Sequence, residues 1–160
     1  MKNLRNDALD ETDAALVAEL ARDARITNAE LAARAGIAAS TSHVRVRSLE
    51  SRGVLSGYHA SVDQARLGRG LQAMIGVTLR PGSRQESITA FAEAVQRLPQ
   101  VIQTFFVGGT DDFLVHVAVE DSSALRATVV EHISGNATVA STRTSVIFAY
   151  RQNAVVASFD

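Results

Sequence analysis

Apolar side chains recur at helical spacing in the first third of the chain. One stripe lies within Leu16–Leu20, and Asp10 stands where the N-cap of that helix is expected. Thr27 and Glu30 have the spacing of a capping box, which predicts the start of a second helix. Gly36 then ends this helix, because glycine adopts the positive φ of a sharp turn at little steric cost.

A third helix is predicted from an N-cap at Ser40 to about Ser51. At about 100° per residue, one face of this helix turns inward and the other turns outward. The inward face is formed by Ser42, Val46 and Leu49. The outward face is formed by Thr41, Val44, Arg47, Ser48 and Ser51, with His43 and Arg45 on the flanks.

Two short helices joined by a glycine turn have the spacing of a helix-turn-helix, which predicts DNA binding. Three arginines against one glutamate give 40–52 a net charge of +2, suited to phosphates and guanine edges. The candidate DNA contacts are Asn28, Ser40, Thr41, His43, Val44, Arg45, Arg47 and Ser48. The alternative is that this surface is the solvated face of an ordinary helical domain.

The rest of the chain alternates between strand and helix patterns. Residues 53–62 have the content of a short strand, or wing, and 63–70 read as a linker. Strands are then predicted at 71–79, 101–107, 113–119 and 142–150, and helices at 88–98 and from Ser122. The order βαββαβ predicts an α+β fold in which two helices cover one face of a ferredoxin-like antiparallel sheet.

This pattern divides the chain into four segments. They are a winged helix-turn-helix domain at 1–62, a linker at 63–70, a βαββαβ domain at 71–150 and a tail at 151–160. The sheet leaves one face without helices, and Met74, Leu114 and Ala118 alternate onto it. We therefore expect a second copy of the chain to cover that face.

Composition narrows the function classes. The 160 residues include 46% hydrophobic residues and no cysteine, which excludes disulfides and thiol chemistry. No apolar run reaches the roughly 18 residues that span a membrane, and the first residues lack a signal-peptide core, so we expect a cytoplasmic protein. The net charge of −1 argues against a bulk polyelectrolyte binder.

Seven motifs follow one another in register along the chain. They are Leu9-Asp10-x-x-Asp13, Arg25–Ala32, Arg45–Glu50, Gly53–Tyr58, Leu98–Val101, Gly109–Phe113, and Val139 with Thr144. Over nearly its whole length the chain resembles the leucine-responsive/asparagine-regulator (Lrp/AsnC) family of transcription factors. The resemblance implies double-stranded DNA as a partner, an amino acid or related metabolite as effector, and a homodimer that assembles into tetramers or octamers.

Two segments depart from the family pattern. The family usually begins its recognition helix with Ser-Pro-Ser, where this chain has Ala38-Ala39-Ser40. The family's Gly-Asp-aromatic-Asp turn is here Gly109-Thr110-Asp111-Asp112, which keeps the last aspartate but replaces the first aspartate and the aromatic residue. The resemblance therefore does not carry over the identity of the effector.

The turn at Gly108–Asp112 offers both kinds of group that a free amino acid needs. Its residues are Gly108, Gly109, Thr110, Asp111 and Asp112. We expect Asp112 to meet the ammonium and the amides of Gly109–Asp111 to meet the carboxylate. Segments His132–Asn136 and Thr142–Thr144 are candidates to close the pocket from another subunit. The alternative is a hairpin turn whose glycine and aspartate serve the backbone alone.

Two other function classes remain open at this point. An enzyme is one, since βαββαβ modules also occur in catalytic proteins. The four histidines, however, fall in separate elements without metal-ligand spacing, and the chain has no phosphate loop or nucleophile elbow. The sequence thus predicts no catalytic site, metal or cofactor. The other class is an architectural DNA-packing protein that responds to no effector.

Overall fold

The computed structural model describes residues 9–82 and 85–150, which fall into two compact units divided between Ser61 and Val62. The predicted tail at 151–160 lies outside the described residues. The first unit contains α1 (Glu11–Arg22), α2 (Asn28–Arg34) and α3 (Ala39–Ser51). Its core is the apolar cluster Leu16, Val17, Leu20, Leu31 and Leu49.

The predicted starts of α1 and α2 are confirmed. The Asp10 carboxylate accepts the backbone N–H of Asp13 at 2.7 Å. At α2 the hydroxyl of Thr27 accepts the N–H of Glu30 at 3.3 Å, and the Glu30 carboxylate accepts the N–H of Thr27 at 3.2 Å. Each interaction satisfies a helix N–H group that has no partner within its own helix.

The predicted N-cap of α3 at Ser40 is wrong. The N-cap is Ala38, which supplies no side-chain hydrogen bond, and the N–H of Ser42 bonds to the Ala38 carbonyl. The turn before α3 sets this start. Gly36 has φ of 67°, and the N–H of Ile37 returns to the Ala32 carbonyl, so only two residues separate Gly36 from the helix.

The predicted strand, or wing, at 53–62 is also wrong. All of these residues are described, and none of them belongs to a strand. Gly53, with φ of 73°, ends α3 in the way that Gly36 ends α2, and the N–H of Val54 bonds to the Leu49 carbonyl. The Tyr58 hydroxyl donates to the Glu50 carboxylate at 2.9 Å, so side chains rather than a strand ladder hold this segment.

The second unit has the predicted βαββαβ order. Its elements are β1 (Leu71–Leu79), α4 (Gln85–Gln96), β2 (Val101–Phe106), β3 (Phe113–Val119), α5 (Ser122–Ala127) and β4 (Val139–Ile147). The sheet order is β2-β3-β1-β4, and every neighbouring pair is antiparallel. A 3₁₀ turn at Ala65–Leu67 lies within the predicted linker, and a π-helical segment, Thr128–Ser134, continues α5.

Strand β4 begins and ends three residues earlier than the predicted 142–150. Its bounds follow from pairing with β1, in which Gln72 lies opposite Ile147 and Leu79 lies opposite Val139. The helix-covered face of the sheet forms the core. Fully buried residues of that core include Ala73, Ile75, Val77, Val115, Val117 and Ile133.

The strand register confirms that Met74, Leu114 and Ala118 share the face without helices. Met74 lies opposite His116, Gly76 opposite Leu114, and Gln72 opposite Ala118. The prediction overstated the apolar surface there, since Ala118 is fully buried within the single chain. Cross-strand neighbours cover so small a side chain, and Met74 and Leu114 are themselves half-buried.

Ser42 provides a test of packing in the first unit. Its side chain is fully buried, and its hydroxyl has no hydrogen-bond partner among the described residues. We expect Ser42→Ala to raise the free energy of unfolding by about 1 kcal/mol, because it removes an unsatisfied buried group and improves helix propensity. The exposed Ser48→Ala on the same helix isolates the propensity effect. A Ser42→Ala protein less stable than Ser48→Ala in urea denaturation would contradict this packing.

Candidate functional sites

The three helices of the first unit are held by specific polar contacts. The side-chain amide of Asn28, at the start of α2, donates to the Ala39 carbonyl at 2.8 Å and so joins the two helices of the motif. The Arg34 guanidinium pairs with the Glu19 carboxylate of α1 at 2.7 Å. These contacts fix how α3 is presented, since its own apolar stripe is short.

Two arginines lie on the inner side of α3, namely Arg45 within the helix and Arg52 at its C-cap. Arg45 pairs with Asp10 at 2.6 Å and with Asp13 at 2.7 Å, and Arg52 pairs with Asp13 at 3.3 Å. Asp13 is only 7% exposed, so its carboxylate is buried against both guanidinium groups. The Asp13 backbone amide and the Arg45 side chain also hold the pKa of Asp10 below its usual value.

The outer side of α3 is open to solvent. Val44 is 67% exposed, although it is apolar. Arg47 is exposed and forms no ion pair within the part of the chain that the structure describes. Six of the eight predicted DNA contacts are exposed on this helix, namely Ser40, Thr41, His43, Val44, Arg47 and Ser48.

The other two predicted DNA contacts have structural partners. Arg45 is turned toward α1 by its ion pairs with Asp10 and Asp13. The amide group of Asn28 is engaged by the Ala39 carbonyl. Sequence reasoning missed that Asp13 binds Arg45 of α3 and Arg52 at the C-cap of that helix. The available signal was the pair of acids Asp10 and Asp13, which stand about one helical turn apart where α1 begins.

The turn at Gly108–Asp112 is anchored to β1 by Asp112. The N–H of Asp112 donates to the Val77 carbonyl at 2.9 Å, and its carboxylate Oδ2 accepts the N–H of Leu79 at 2.7 Å. The Val107 N–H closes the turn on the Asp112 carbonyl at 2.9 Å. Asp112 therefore has a structural task in addition to the ammonium role predicted for it.

The carboxylate of Asp111 lies over β1 at Gly76, which has no side chain. A Cβ atom at Gly76 would stand 2.7 Å from Asp111 Oδ2, so only glycine leaves room for this carboxylate. Arg143, which lies opposite Gly76 on β4, donates to Asp111 Oδ2 at 2.5 Å. The Arg143 side chain is 63% exposed, whereas the Asp111 side chain is 11% exposed. Sequence reasoning missed both Gly76 and Arg143.

The glycine inside a strand of branched residues was the available signal for this arrangement, because such a glycine often marks a close approach. It also changes the picture of the segments predicted to close the pocket. Arg143 stands within Thr142–Thr144 and reaches the turn in the same chain. The hydroxyl of Ser134, from the predicted His132–Asn136 segment, lies 3.1 Å from the Thr142 hydroxyl.

Gly109, within the Gly108–Asp112 turn, has φ of 146°, a backbone conformation that favours glycine.

Neither metal ligation nor membrane insertion finds support in the described part of the chain. No three His, Asp or Glu side chains among those residues stand close enough to hold a metal ion. None of the helices described is long and apolar enough to cross a membrane. What the two sites offer is a polar helix surface and a charged turn, neither of which assembles a nucleophile with a base.

Family models match both units. Residues 9–50 match the AsnC-type helix-turn-helix domain, and residues 72–152 match the Lrp/AsnC ligand binding domain. The first match covers α1, α2 and α3, and the second covers the sheet with its helices.

Individual proteins agree with these models. The chain is 42% identical over 153 residues to the HTH-type transcriptional regulator AldR of Mycolicibacterium smegmatis, covering 96% of this chain and 89% of AldR. The crystal structure of MtbAldR has a TM-score of 0.80 at 35% identity, covering 95% of this chain and 99% of that chain.

A regulator from Neisseria meningitidis, solved as a complex with L-Met, has a TM-score of 0.84 at 26% identity, covering 93% of this chain and 96% of that chain. The fold, both family models and the extent of these matches agree. The chain belongs to the Lrp/AsnC family of transcriptional regulators.

Proposed function

We propose that this chain binds DNA through the outer face of α3 and regulates transcription in response to an amino acid or a related metabolite. The observation that carries the proposal is the division of α3 into two sides. Arg45 is engaged by Asp13 on the inner side, and Arg47 stands open on the outer side. The proposal places the protein in the cytoplasm, and gives it no catalytic role.

The outer face of α3 has the chemistry that DNA reading requires. Hydroxyl groups of Ser40, Thr41 and Ser48 hydrogen-bond to phosphates or base edges, and Arg47 suits a phosphate or a guanine. His43 lies on the flank of the same surface. We propose that Arg45 and Asn28 act mainly by holding α3 in place.

The charge around the turn favours a zwitterion. Asp111 and Asp112 bring two negative charges, and Arg143 brings one positive charge, which leaves a net charge of −1 beside exposed backbone amides. We propose that the ammonium of an amino acid lies against these carboxylates. Its carboxylate then meets the amides of Gly109, Thr110 and Asp111, with the Arg143 guanidinium beside them.

Two further observations support an amino acid as the effector. Residues 72–152 match a family model described as a ligand binding domain. The neisserial regulator of similar fold was solved with L-Met bound. L-methionine is therefore a reasonable first probe.

We propose a homodimer formed through the sheet face without helices, with further assembly into tetramers or octamers. Met74, Leu114 and Phe105 share this face, and Phe105 is 44% exposed. Burial lowers the pKa of His116 on the same face and so favours the uncharged ring. A sheet face that exposes apolar side chains is suited to pairing with its own copy. Light scattering at micromolar concentration tests the proposed assembly by measuring the molar mass of the protein in solution, and the mass of a single chain would contradict it.

Replacing Arg47 with alanine is expected to weaken binding to specific DNA by about tenfold. Its thermal unfolding midpoint should match that of the wild type, because Arg47 is exposed and forms no ion pair within the described chain. Arg45→Ala should instead lower the unfolding midpoint, since it leaves the buried Asp13 with one arginine fewer. Fluorescence anisotropy and thermal unfolding measure the two properties.

Arg126→Ala is the matched control for these variants, because Arg126 is an exposed arginine on α5 in the other unit. It should change neither property. Normal DNA affinity for Arg47→Ala would contradict the assignment of α3 as the helix that reads DNA. If phosphate is the contact, the salt dependence of Arg47→Ala should also fall by about one ion.

Replacing Asp112 with asparagine is expected to weaken amino-acid binding by about tenfold without unfolding the turn. Asparagine removes the charge but retains an oxygen that accepts the Leu79 N–H. Asp112→Ala loses both properties, so it should also lower the unfolding midpoint. Calorimetry follows a thermal-shift screen of the twenty amino acids, with L-methionine as the first probe.

Asp121→Asn serves as the control for Asp112→Asn, since Asp121 also accepts a backbone N–H and an asparagine there keeps the cap. Equal affinity of wild type and Asp112→Asn would show that the turn is structural only. If no amino acid stabilises the wild type at millimolar concentration, the architectural DNA-packing function replaces the sensor.

A further inference from the structure

Val44 is exposed where neither packing nor helix propensity explains a valine. It lies in the middle of α3 and is 67% exposed. It belongs to neither of the two hydrophobic clusters, of which the nearer contains Val46 and Leu49. A β-branched residue is also a weaker helix former than alanine, so it contributes nothing to the helix itself.

Val44 stands at the centre of the outer face. Ser40 and Thr41 lie one turn before it, and Arg47 and Ser48 lie one turn after it, all of them exposed. A recognition helix in the major groove contacts base edges with the residues of its N-terminal part, and Val44 is the sixth of the 13 residues of α3. The exposed polar side chains around Val44 then meet phosphates and flanking bases.

The chemistry of the groove selects the contact. The side chain of valine has no hydrogen-bond donor or acceptor, so it cannot hydrogen-bond to phosphate or to the donors and acceptors of a base edge. Within the major groove the thymine C5-methyl is the apolar group that base pairs present, and apolar side chains contact it. We propose that Val44 reads a thymine methyl and gives each half-site a preference for thymine at one position. This inference rests on α3 being the reading helix.

The alternative is that Val44 meets another protein surface. In that case its replacement changes the assembly of the chain and leaves base preference unaltered. The two cases differ in a measurable way, because a methyl contact depends on a single atom group of the DNA. Deoxyuridine differs from thymidine only by that methyl group, and it keeps the same pairing.

The test begins with selection of duplexes from a random-sequence pool by the wild-type chain, Val44→Ala and Arg47→Ala. Each thymidine of the wild-type consensus is then replaced in turn by deoxyuridine, and affinity is measured by fluorescence anisotropy. We expect one replacement per half-site to weaken wild-type binding by about threefold to fivefold, the effect of burying one methyl group. The same replacement should leave binding by Val44→Ala unchanged.

Val130→Ala is the matched control, because Val130 is 54% exposed and lies in the other unit. It should respond to deoxyuridine as the wild type does. The inference is overturned if no deoxyuridine duplex binds the wild type more weakly, or if Val44→Ala keeps the same sensitivity. Failure of α3 as the reading helix is a separate result, since Arg47→Ala would then select and bind the wild-type consensus normally.

Discussion

A buried carboxylate organises the first unit. Asp13 is only 7% exposed, and a charge so removed from water is tolerated when it is paired with opposite charge. Arg45 of α3 and Arg52 at its C-cap supply that pairing. Because the apolar stripe of α3 is short, these ion pairs and the Asn28 contact define which way the helix faces.

This arrangement has a consequence for recognition. Arg45 of α3 and Arg52, the residue that follows the helix, are turned inward, so Arg47 is the arginine that the outer face of α3 presents. The chain as a whole carries a net charge of −1. We therefore expect phosphate attraction to be modest, and we propose that discrimination between sequences falls to short polar side chains and to Val44. In the second unit a carboxylate also has a prepared place, because the missing side chain of Gly76 leaves space above the sheet for Asp111.

The sequence predicted what local patterns and alternation encode. The capping box at Thr27, the turn at Gly36 and the βαββαβ order all rest on contacts close in the chain or on strand periodicity. Prediction from the sequence failed where the structure of a segment depends on a residue far away in the chain. Residues 53–62 have strand composition but no ladder partner among the described residues, and Arg45 looked free because Asp13 lies 32 positions away.

The candidate sites divide along the same line. The exposed face of α3 follows from helical periodicity, so Thr41, Val44 and Arg47 were predictable. The contact of Asp112 with Leu79 depends on how the β2–β3 turn folds over β1, which no local pattern contains. The contact between Arg143 and Asp111 depends on the register of β1 and β4, which places Arg143 opposite Gly76.

The central claim is that Arg45 serves the fold and Arg47 serves the DNA, and side-chain NMR of the arginine Nε–H groups tests it most directly. Spectra are compared for the protein alone and with a duplex selected by the wild-type chain. The account predicts that the Arg47 signal shifts on DNA binding, while the Arg45 signal stays where its pairing with Asp13 places it. A large shift of Arg45 with Arg47 unmoved would contradict the account.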